Sequence, residues 1–232
     1  MLQLKQFRYN VDNLGYLVYS KKYAMAIDGG APGDILSFIK SRGLNLLFVT
    51  NTHGHADHTS GNGPLLRESN VRLLVYEEIK DAEIELEDRK IRVYNTPGHT
   101  VDSLCFHIDN ALVTGDTLFN GTVGNCFSGD VKGFYLSVKK IMSLPESTVI
   151  YAGHDYVEEA MNFASRLEPD NEYIKIFLQN YTPAHVSSRL TEELRVNPYL
   201  RFNERSIIGL LKRNGLPTKT EWQRWQSLMT ID

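Results

Sequence analysis

The chain has 232 residues, of which 42% are hydrophobic and 23% are charged, and its formal net charge at pH 7 is -3. This length and composition predict one folded unit, or one large domain with a small appendage. The slightly acidic charge, without any polybasic block, argues against a nucleic-acid partner. Residues 1–8 lack the apolar run of a signal peptide, and no stretch approaches the roughly 18 apolar residues of a membrane span. We therefore expect a cytoplasmic protein with no membrane partner.

The beginning of the chain predicts antiparallel sheet followed by a helix. Three short runs rich in Leu, Phe, Tyr and Val are separated by polar pairs, which is typical of a meander of strands. These runs are residues 2–9, 14–20 and 23–27. A glycine-rich turn then precedes a helix that we expect to begin near Asp34, because aspartate is a suitable N-cap residue. A further apolar strand is predicted at 46–50.

Directly after that strand, the chain places three imidazoles and a carboxylate within six positions. They belong to His53, His55, Asp57 and His58. Imidazole suits zinc, iron and related transition ions, whereas calcium and magnesium prefer oxygen ligands. A single histidine here would more often be an ordinary loop residue, but this spacing arises by chance with a probability on the order of 10⁻³ or less. Four donors on one short turn cannot all reach one tetrahedral ion, which predicts two adjacent ions with further ligands downstream.

Three later positions supply those ligands. Strands with period-two alternation are predicted at 71–75, 83–86, 91–95 and 103–108, and a further apolar strand at 111–114. His99, Asp116 and His154 each lie beside a glycine at the end of an apolar strand, where sites in sheet-rich folds are assembled. Asp116 can bridge two ions through its two oxygens. His107 and His185 lack this context and are expected to be packed or solvated. The seven donors predict two divalent transition-metal ions, with zinc preferred and iron or manganese as alternatives.

The last third of the chain predicts helices. Apolar side chains recur at helical spacing in residues 156–166, 170–180, 203–213 and 220–229. Asp170, Asn203 and Thr220 are suitable residues for the starts of the last three helices. Trp222 and Trp225 are expected to be core or docking aromatics.

The histidine-rich motif, followed by the later His, Asp and His, closely resembles the metallo-β-lactamase superfamily over residues 1 to about 165. Within that superfamily, the chain is most similar to the hydroxyacylglutathione hydrolase branch, also called glyoxalase II. The segments that carry this similarity are residues 115–119, 153–156, 167–169, 187–193 and 197–201. The last two are similar to the helical C-terminal segment of that branch.

This resemblance implies an α/β fold, the αβ/βα four-layer sandwich, with a helical C-terminal appendage over one rim of the active site. We therefore expect a catalytic domain at residues 1–165 and the helical segment at residues 166–232. The resemblance also implies how the ligands are shared between the ions. One ion is expected on His53, His55 and His99, the other on Asp57, His58 and His154, with Asp116 bridging them.

The activity implied by the resemblance is metal-dependent hydrolysis of a thioester, an S-(2-hydroxyacyl)glutathione such as S-lactoylglutathione. A water shared by two cations becomes hydroxide at neutral pH and attacks the thioester carbonyl, with Asp57 and Asp116 as catalytic residues and Asp57 orienting the nucleophile. A leaving thiol with a pKa near 8.5 needs no strong general acid. Substrate contacts are expected from Asn125, Phe127 and Tyr156. Asn125 departs from the family pattern, because relatives with glutathione preference carry a basic residue there.

Other activities are compatible with parts of this pattern. Persulfide dioxygenases, which use one iron, share the His-x-His-x-Ala-Asp-His form found here with Ala56, but their Arg-Thr-Asp-Phe segment is absent from this sequence. A non-catalytic metal-binding protein would need at least one ligand replaced, and none is. Hydrolysis of another thioester, a lactone or a β-lactam uses the same ligands and stays open.

Overall fold

Two β-sheets form the centre of the structure, a computed structural model that describes residues 1–68 and 71–231. The first sheet contains β1 (Gln3–Tyr9), β2 (Asn13–Tyr19), β3 (Tyr23–Ile27), β4 (Asn45–Thr50) and β5 (Arg72–Leu73), in that order. Strands β1, β2 and β3 pair antiparallel, whereas β4 and β5 are parallel to their preceding neighbours. The chain thus begins with the predicted meander.

The second sheet is built from later strands. They are β6 (Glu83–Leu86), β7 (Arg89–Asn95), β8 (Leu104–Ile108), β9 (Ala111–Gly115), β12 (Val149–Ala152) and β13 (Ser188–Arg189). Their order across the sheet is β13-β12-β9-β8-β7-β6, and β12 pairs parallel with β9 while the other neighbours are antiparallel. A separate hairpin contains β10 (Leu118–Phe119) and β11 (Thr122–Val123).

The helices lie in the connections and in the tail. They are α1 (Pro32–Arg42), α2 (Ala56–Thr59), α3 (Asn62–Leu66), α4 (Tyr76–Ile79), α5 (Val131–Met142), α6 (Val157–Leu167), α7 (Glu172–Asn180), α8 (Leu190–Val196), α9 (Arg205–Arg213) and α10 (Glu221–Leu228). None of the helices in residues 1–68 and 71–231 combines the length and the apolar character needed to cross a membrane.

The alternation of side chains along each strand divides the core into three clusters. In β2, Tyr16 and Val18 belong to the cluster between the two sheets, together with Phe106 of β8, while Leu17 belongs to a cluster with Ile35 of α1. Such alternation buries a strand on both faces. A third cluster lies on the outer face of the second sheet and includes residues of α5 and of the tail helices. The order helix, sheet, sheet, helix confirms the expected four-layer α/β fold.

Glu193 joins the tail to the hairpin. Its carboxylate is fully buried and accepts hydrogen bonds from the Gly121 amide at 2.9 Å, the Ser188 hydroxyl at 2.6 Å and the Asn197 amide at 3.0 Å. Burial raises the pKa of Glu193 to about 7, although these donors oppose the shift. The buried Glu193 carboxylate therefore adds a polar contact to the apolar packing that attaches the tail.

Several local expectations were wrong. Helix α1 begins at Pro32 after the cap residue Ala31, so Asp34 lies in the first turn; proline suits that turn because it has no amide hydrogen to leave unpaired. Asn171, not Asp170, caps α7, and α9 begins after Glu204 rather than Asn203.

Thr220 is the expected N-cap of α10 and accepts a hydrogen bond from the Gln223 amide. Trp225 is fully buried in the core, and the partly buried Trp222 stacks with it from outside, in agreement with their expected roles as core or docking aromatics. Cys105 is buried in β8, and Cys126 is a free thiol. Helices α2, α4 and α5, the hairpin and β13 were not expected from the sequence, whereas α8 lies in the segment for which the family resemblance implied helix.

Candidate metal centre

The seven donors singled out in the sequence come from four separate segments and meet at one edge of the two sheets. His53 and His55 lie between β4 and α2, and α2 carries Asp57 and His58; His99, Asp116 and His154 follow β7, β9 and β12. Four of the five histidines are buried, and His55 is half-buried. The structure therefore brings together every residue that the sequence pattern proposed as a ligand.

Three imidazole nitrogens converge in what we call the first position, formed by His53, His55 and His99. His55 Nδ1 lies 2.9 Å from His53 Nε2 and 3.1 Å from His99 Nε2. One hydrogen on His55 Nδ1 could satisfy only one of these two contacts. A cation between the three nitrogens would satisfy all of them.

The second position is formed by Asp57, His58 and His154. The Nε2 atoms of the two imidazoles are 3.2 Å apart, and Asp57 Oδ2 lies 3.3 Å from His154 Nε2 and 3.6 Å from His58 Nε2. In each position, one ligand atom from every residue lies within 4.8 Å of the others, a spacing that can hold a metal ion. Two nitrogens and a carboxylate oxygen are a donor set that zinc and iron accept.

Asp116 lies between the two positions. Its Oδ2 is 3.4 Å from His99 Nε2 in the first position and 3.6 Å from His154 Nε2 in the second. Its Oδ1 is buried, has no hydrogen-bond partner among the described residues, and lies 3.4 Å from His58 Nε2. A buried carboxylate oxygen without a donor is costly unless a cation is nearby. The residues present therefore fit two adjacent metal ions that share Asp116.

In three of the histidines, the ring nitrogen that faces away from the ion positions also forms a hydrogen bond. Nδ1 of His58 donates to Asp28 Oδ2 at 3.0 Å, and Nδ1 of His154 donates to Asp12 Oδ1 at 2.9 Å. Nδ1 of His99 donates to the backbone carbonyl of Asn125 at 2.9 Å. When a hydrogen is fixed on Nδ1, the Nε2 lone pair is left free for a metal ion.

The sequence does not predict two of these supporting residues, Asp28 and Asp12, because each lies in a connection after a predicted strand. Asp28 is fully buried, accepts from the Thr52 amide and hydroxyl at 2.7 Å, and has a φ of 51°. A non-glycine residue in the left-handed region is a strained conformation of the kind that collects at functional sites. The Asp-Gly-Gly sequence after a strand was the available signal.

The backbone also approaches the centre closely. Gly115 has a φ of 50° and its missing Cβ would lie 2.5 Å from Thr52 atoms, so this turn can carry Asp116 only if the preceding residue has no side chain. A Cβ on Gly153 would lie 2.2 Å from Asp116 Oδ1 and 2.9 Å from His58 Cε1. Glycine at both positions therefore allows the strand ends to lie close to the ligand side chains.

The charged groups of the centre shift one another's pKa values. Burial lowers the pKa of His58, but the carboxylates of Asp28 and Asp116 outweigh burial and raise this pKa to about 11. Burial raises the pKa of Asp116, but the surrounding imidazoles, led by His58, hold it at about 2. Burial lowers the pKa of His53 to about 4. The buried carboxylates thus favour positive charge at this centre.

The three expected substrate residues lie around this centre. Tyr156 stacks on the His154 ring at 5.0 Å, and Phe127 packs edge-on against His55 and His99 at 5.8 and 5.2 Å. Phe127 is 66% exposed, and the side chain of Asn125 is exposed while its carbonyl holds His99. His107 is half-buried beside Tyr94 and His185 is exposed, which agrees with the expectation of a packed and a solvated histidine.

Two packed sheets with outer helices, and histidine and aspartate donors at their strand ends, are the arrangement of the metallo-β-lactamase superfamily. The model of that superfamily matches residues 11–96 and 77–154, and the chain belongs to it. The superfamily implies divalent metal ions. The family model described as hydroxyacylglutathione hydrolase C-terminus matches residues 155–229.

Curated relatives give the narrower assignment. The chain is 31% identical over 239 aligned residues to the hydroxyacylglutathione hydrolases of Brucella ovis and Brucella abortus (strain 2308), and each alignment covers 93% of this chain and 93% of the relative. The chain therefore belongs to the hydroxyacylglutathione hydrolase family and is an enzyme. The two family models meet at residues 154 and 155, so α6 falls within the C-terminal match. Our division at residue 165 stays a prediction.

Solved structures show the same fold at lower identity. ETHE1 from Myxococcus xanthus superposes with a TM-score of 0.69 at 22% identity, covering 97% of this chain and 99% of that chain. The BLEG-1 B3 metallo-β-lactamase superposes with a TM-score of 0.65 at 19% identity, covering 85% of this chain and 99% of that chain.

Proposed function

We propose that this chain is a binuclear-metal thioester hydrolase whose substrate is an S-(2-hydroxyacyl)glutathione such as S-lactoylglutathione. The observation that carries the proposal is the position of Asp116 between two complete donor sets, in a chain related to hydroxyacylglutathione hydrolases along nearly its whole length. Two donor sets exceed what a single ion of four or five ligands uses.

In this proposal, His53, His55 and His99 hold one ion in the first position. Asp57, His58 and His154 hold the other in the second position, and Asp116 bridges them. Zinc suits these imidazole-rich sets, and iron and manganese are the alternatives. Two bound ions supply a water of lowered pKa and polarise a substrate carbonyl.

Asp57 has a second task in this proposal. Its Oδ2 accepts a hydrogen bond from Asn13 Nδ2 at 2.8 Å, which fixes the orientation of the carboxylate, and its side chain is 41% exposed. Burial raises the pKa of Asp57, but the Asn13 hydrogen bond and His58 outweigh burial and lower it. An ionised, solvent-facing carboxylate can accept the hydrogen bond of an approaching water and orient it. The leaving thiolate needs no proton donor, because an ordinary thiol has a pKa of about 8.5.

Aromatic side chains flank the proposed substrate path on both sides. Phe127 lies against the first position, and Tyr156 lies against the second with Phe119 packed on it at 5.0 Å. Burial and nearby carboxylates raise the pKa of Tyr156 to about 12, so its phenol is neutral and can donate a hydrogen bond to the substrate. Asn125 has an exposed neutral amide at the position where relatives carry a basic side chain, which would pair with a glutathione carboxylate. Such a charged hydrogen bond is worth about 1.5–3 kcal/mol, and Asn125 cannot form it.

The test is thiol release from S-lactoylglutathione by protein reconstituted with zinc, iron or manganese, together with elemental analysis. We expect close to two ions per chain and hydrolysis of the thioester. Parallel reactions with a lactone and with another thiol's ester test the substrate class. If glutathione thioesters are untouched while another thioester is cleaved, the glutathione part of the proposal is wrong and the reaction class stands.

The persulfide dioxygenase alternative predicts different measurements. One iron per chain, even after reconstitution with excess metal, and oxygen consumption with a persulfide substrate would favour it. The comparisons do not support it better than hydrolysis, because likeness at 22% identity to a solved structure shows the fold alone.

A further inference from the structure

The two ion positions differ in the charge of the groups that support them. In the second position, Asp57 is itself a carboxylate, and both imidazoles donate from Nδ1 to further carboxylates: His58 to Asp28 and His154 to Asp12. Two carboxylates behind the ligands increase the electron density on the imidazoles and attract a cation through space.

The first position has neutral support. His99 donates to a backbone carbonyl, that of Asn125, and His53 Nδ1 lies 3.0 Å from the Thr52 hydroxyl. That hydroxyl gives its own hydrogen to Asp28 Oδ2 at 2.7 Å, so it accepts from His53. No carboxylate in residues 1–68 and 71–231 is hydrogen-bonded directly to an imidazole of this position.

We propose that the two positions fill in order, and that the second position, on Asp57, His58 and His154, binds its ion first and more tightly. This inference rests on the proposed two-ion centre and adds an assignment of affinity to each half. Asp116 contacts both positions and therefore does not decide between them.

Solvent exposure decides how strongly each carboxylate attracts an ion. The side chains of Asp12 and Asp57 are 34% and 41% exposed, so water and salt weaken their attraction for an ion. Asp28 is fully buried and acts more strongly, but it reaches both positions, directly through His58 and indirectly through Thr52. Asp12 is the residue whose hydrogen bond serves the second position alone.

The backbone holds Asp12 in place independently of any ion. The loop between β1 and β2 pairs with the segment after β12, because the Leu14 amide donates to the Gly153 carbonyl at 2.8 Å and the Asp155 amide donates to the Asp12 carbonyl at 2.9 Å. A change from carboxylate to amide at position 12 therefore leaves this pairing intact. Asp12→Asn removes a charge without removing the loop that carries it.

The first experiment locates the ion. Metal-free protein is given one equivalent of Zn²⁺, crystallised, and examined by anomalous scattering at the zinc edge. We expect the anomalous peak among Asp57, His58 and His154. A stronger peak among His53, His55 and His99, or equal peaks in both places, would overturn the inference.

The second experiment measures affinity by calorimetric titration of the metal-free chain with Zn²⁺. The unmodified protein should show two binding events that differ at least about tenfold in dissociation constant, and Asp12→Asn should weaken the tighter event by roughly 10- to 100-fold. The matched control is Asp34→Asn, an exposed position in α1 that should leave both constants unchanged. An Asp12→Asn protein that is folded by circular dichroism and weakened only in the looser event overturns the assignment.

The outcomes separate this inference from the proposed function. Two ions bound in the opposite order, or with equal affinity, refute the order of filling and leave the two-ion hydrolase standing. A single ion at saturating Zn²⁺ refutes the two-ion centre itself, and the order of filling with it.

Discussion

Replacing Gly153 by alanine should damage the metal centre without changing any ligand. The backbone at Gly153 does not have a positive φ, so alanine is sterically allowed by the chain itself. The added Cβ would lie 2.2 Å from Asp116 Oδ1 and 2.9 Å from His58 Cε1. An ordinary carbon-to-oxygen contact is about 3.3 Å or longer, so the Asp116 carboxylate must move by roughly 1 Å.

A displacement of that size between reacting groups can cost about 10²-fold in rate. We therefore expect Gly153→Ala to lower kcat for a good thioester by about that factor and to lower the metal content measured by elemental analysis. Gly33→Ala is the matched control, because Gly33 is exposed in α1 and a Cβ there meets no atom within 4 Å. The control should keep full activity and gain up to about 1 kcal/mol in helix stability. Full activity and two tightly held ions in Gly153→Ala would refute the geometry described here.

Three further changes test other parts of the structure. Asp116→Asn should lower kcat at least about 10²-fold with the fold intact, whereas exposed His185→Ala should have little effect; equal thioesterase activity of the two variants would exclude Asp116 as the bridge. Asn125→Arg should lower the KM for S-lactoylglutathione roughly tenfold with kcat little changed, and an unchanged or higher KM in initial-rate kinetics would mean that another group binds the glutathione carboxylate. In the folded chain the pKa of Glu193 is about 7, above its ordinary value near 4.5. The protonated form therefore stabilises the folded chain at low pH, and this stabilisation is lost as the pH rises through about 7. Between about pH 5 and pH 8, denaturant unfolding should show a loss of up to roughly 3 kcal/mol that Glu193→Gln does not share; equal pH dependence would contradict this pKa.

The strands and the ligands could be predicted from the sequence because both leave local signals. Alternation of apolar residues marks a half-buried strand, and a histidine or aspartate beside glycine at a strand end marks a place where several segments can meet. Helix α5 has such local signals too. Phe134, Val138 and Ile141 are buried at helical spacing, and Asp130 caps the first turn by accepting from the Gly133 amide.

The starts of the tail helices show where local signals stop being sufficient. Asp170 and Asn171 are adjacent, and both side chains can cap a helix. Asn171 is the residue that caps α7, and its side-chain amide also donates a hydrogen bond to the Arg195 carbonyl of α8 at 2.9 Å. A contact across 24 residues of sequence is invisible to a rule that considers only neighbouring positions.

The same limit applies to the groups that support the metal centre. Asp12 reaches His154 across 142 residues, and Asp28 reaches His58 across 30. In the sequence each aspartate follows a strand and is indistinguishable from an ordinary turn residue. The fold reveals them as hydrogen-bond acceptors of ligands: Asp12 meets a strand end of the second sheet, and Asp28 lies beside the helix that follows β4 of the first. The motif identifies which atoms can bind metal, whereas the hydrogen bonds behind it distinguish the two ion positions.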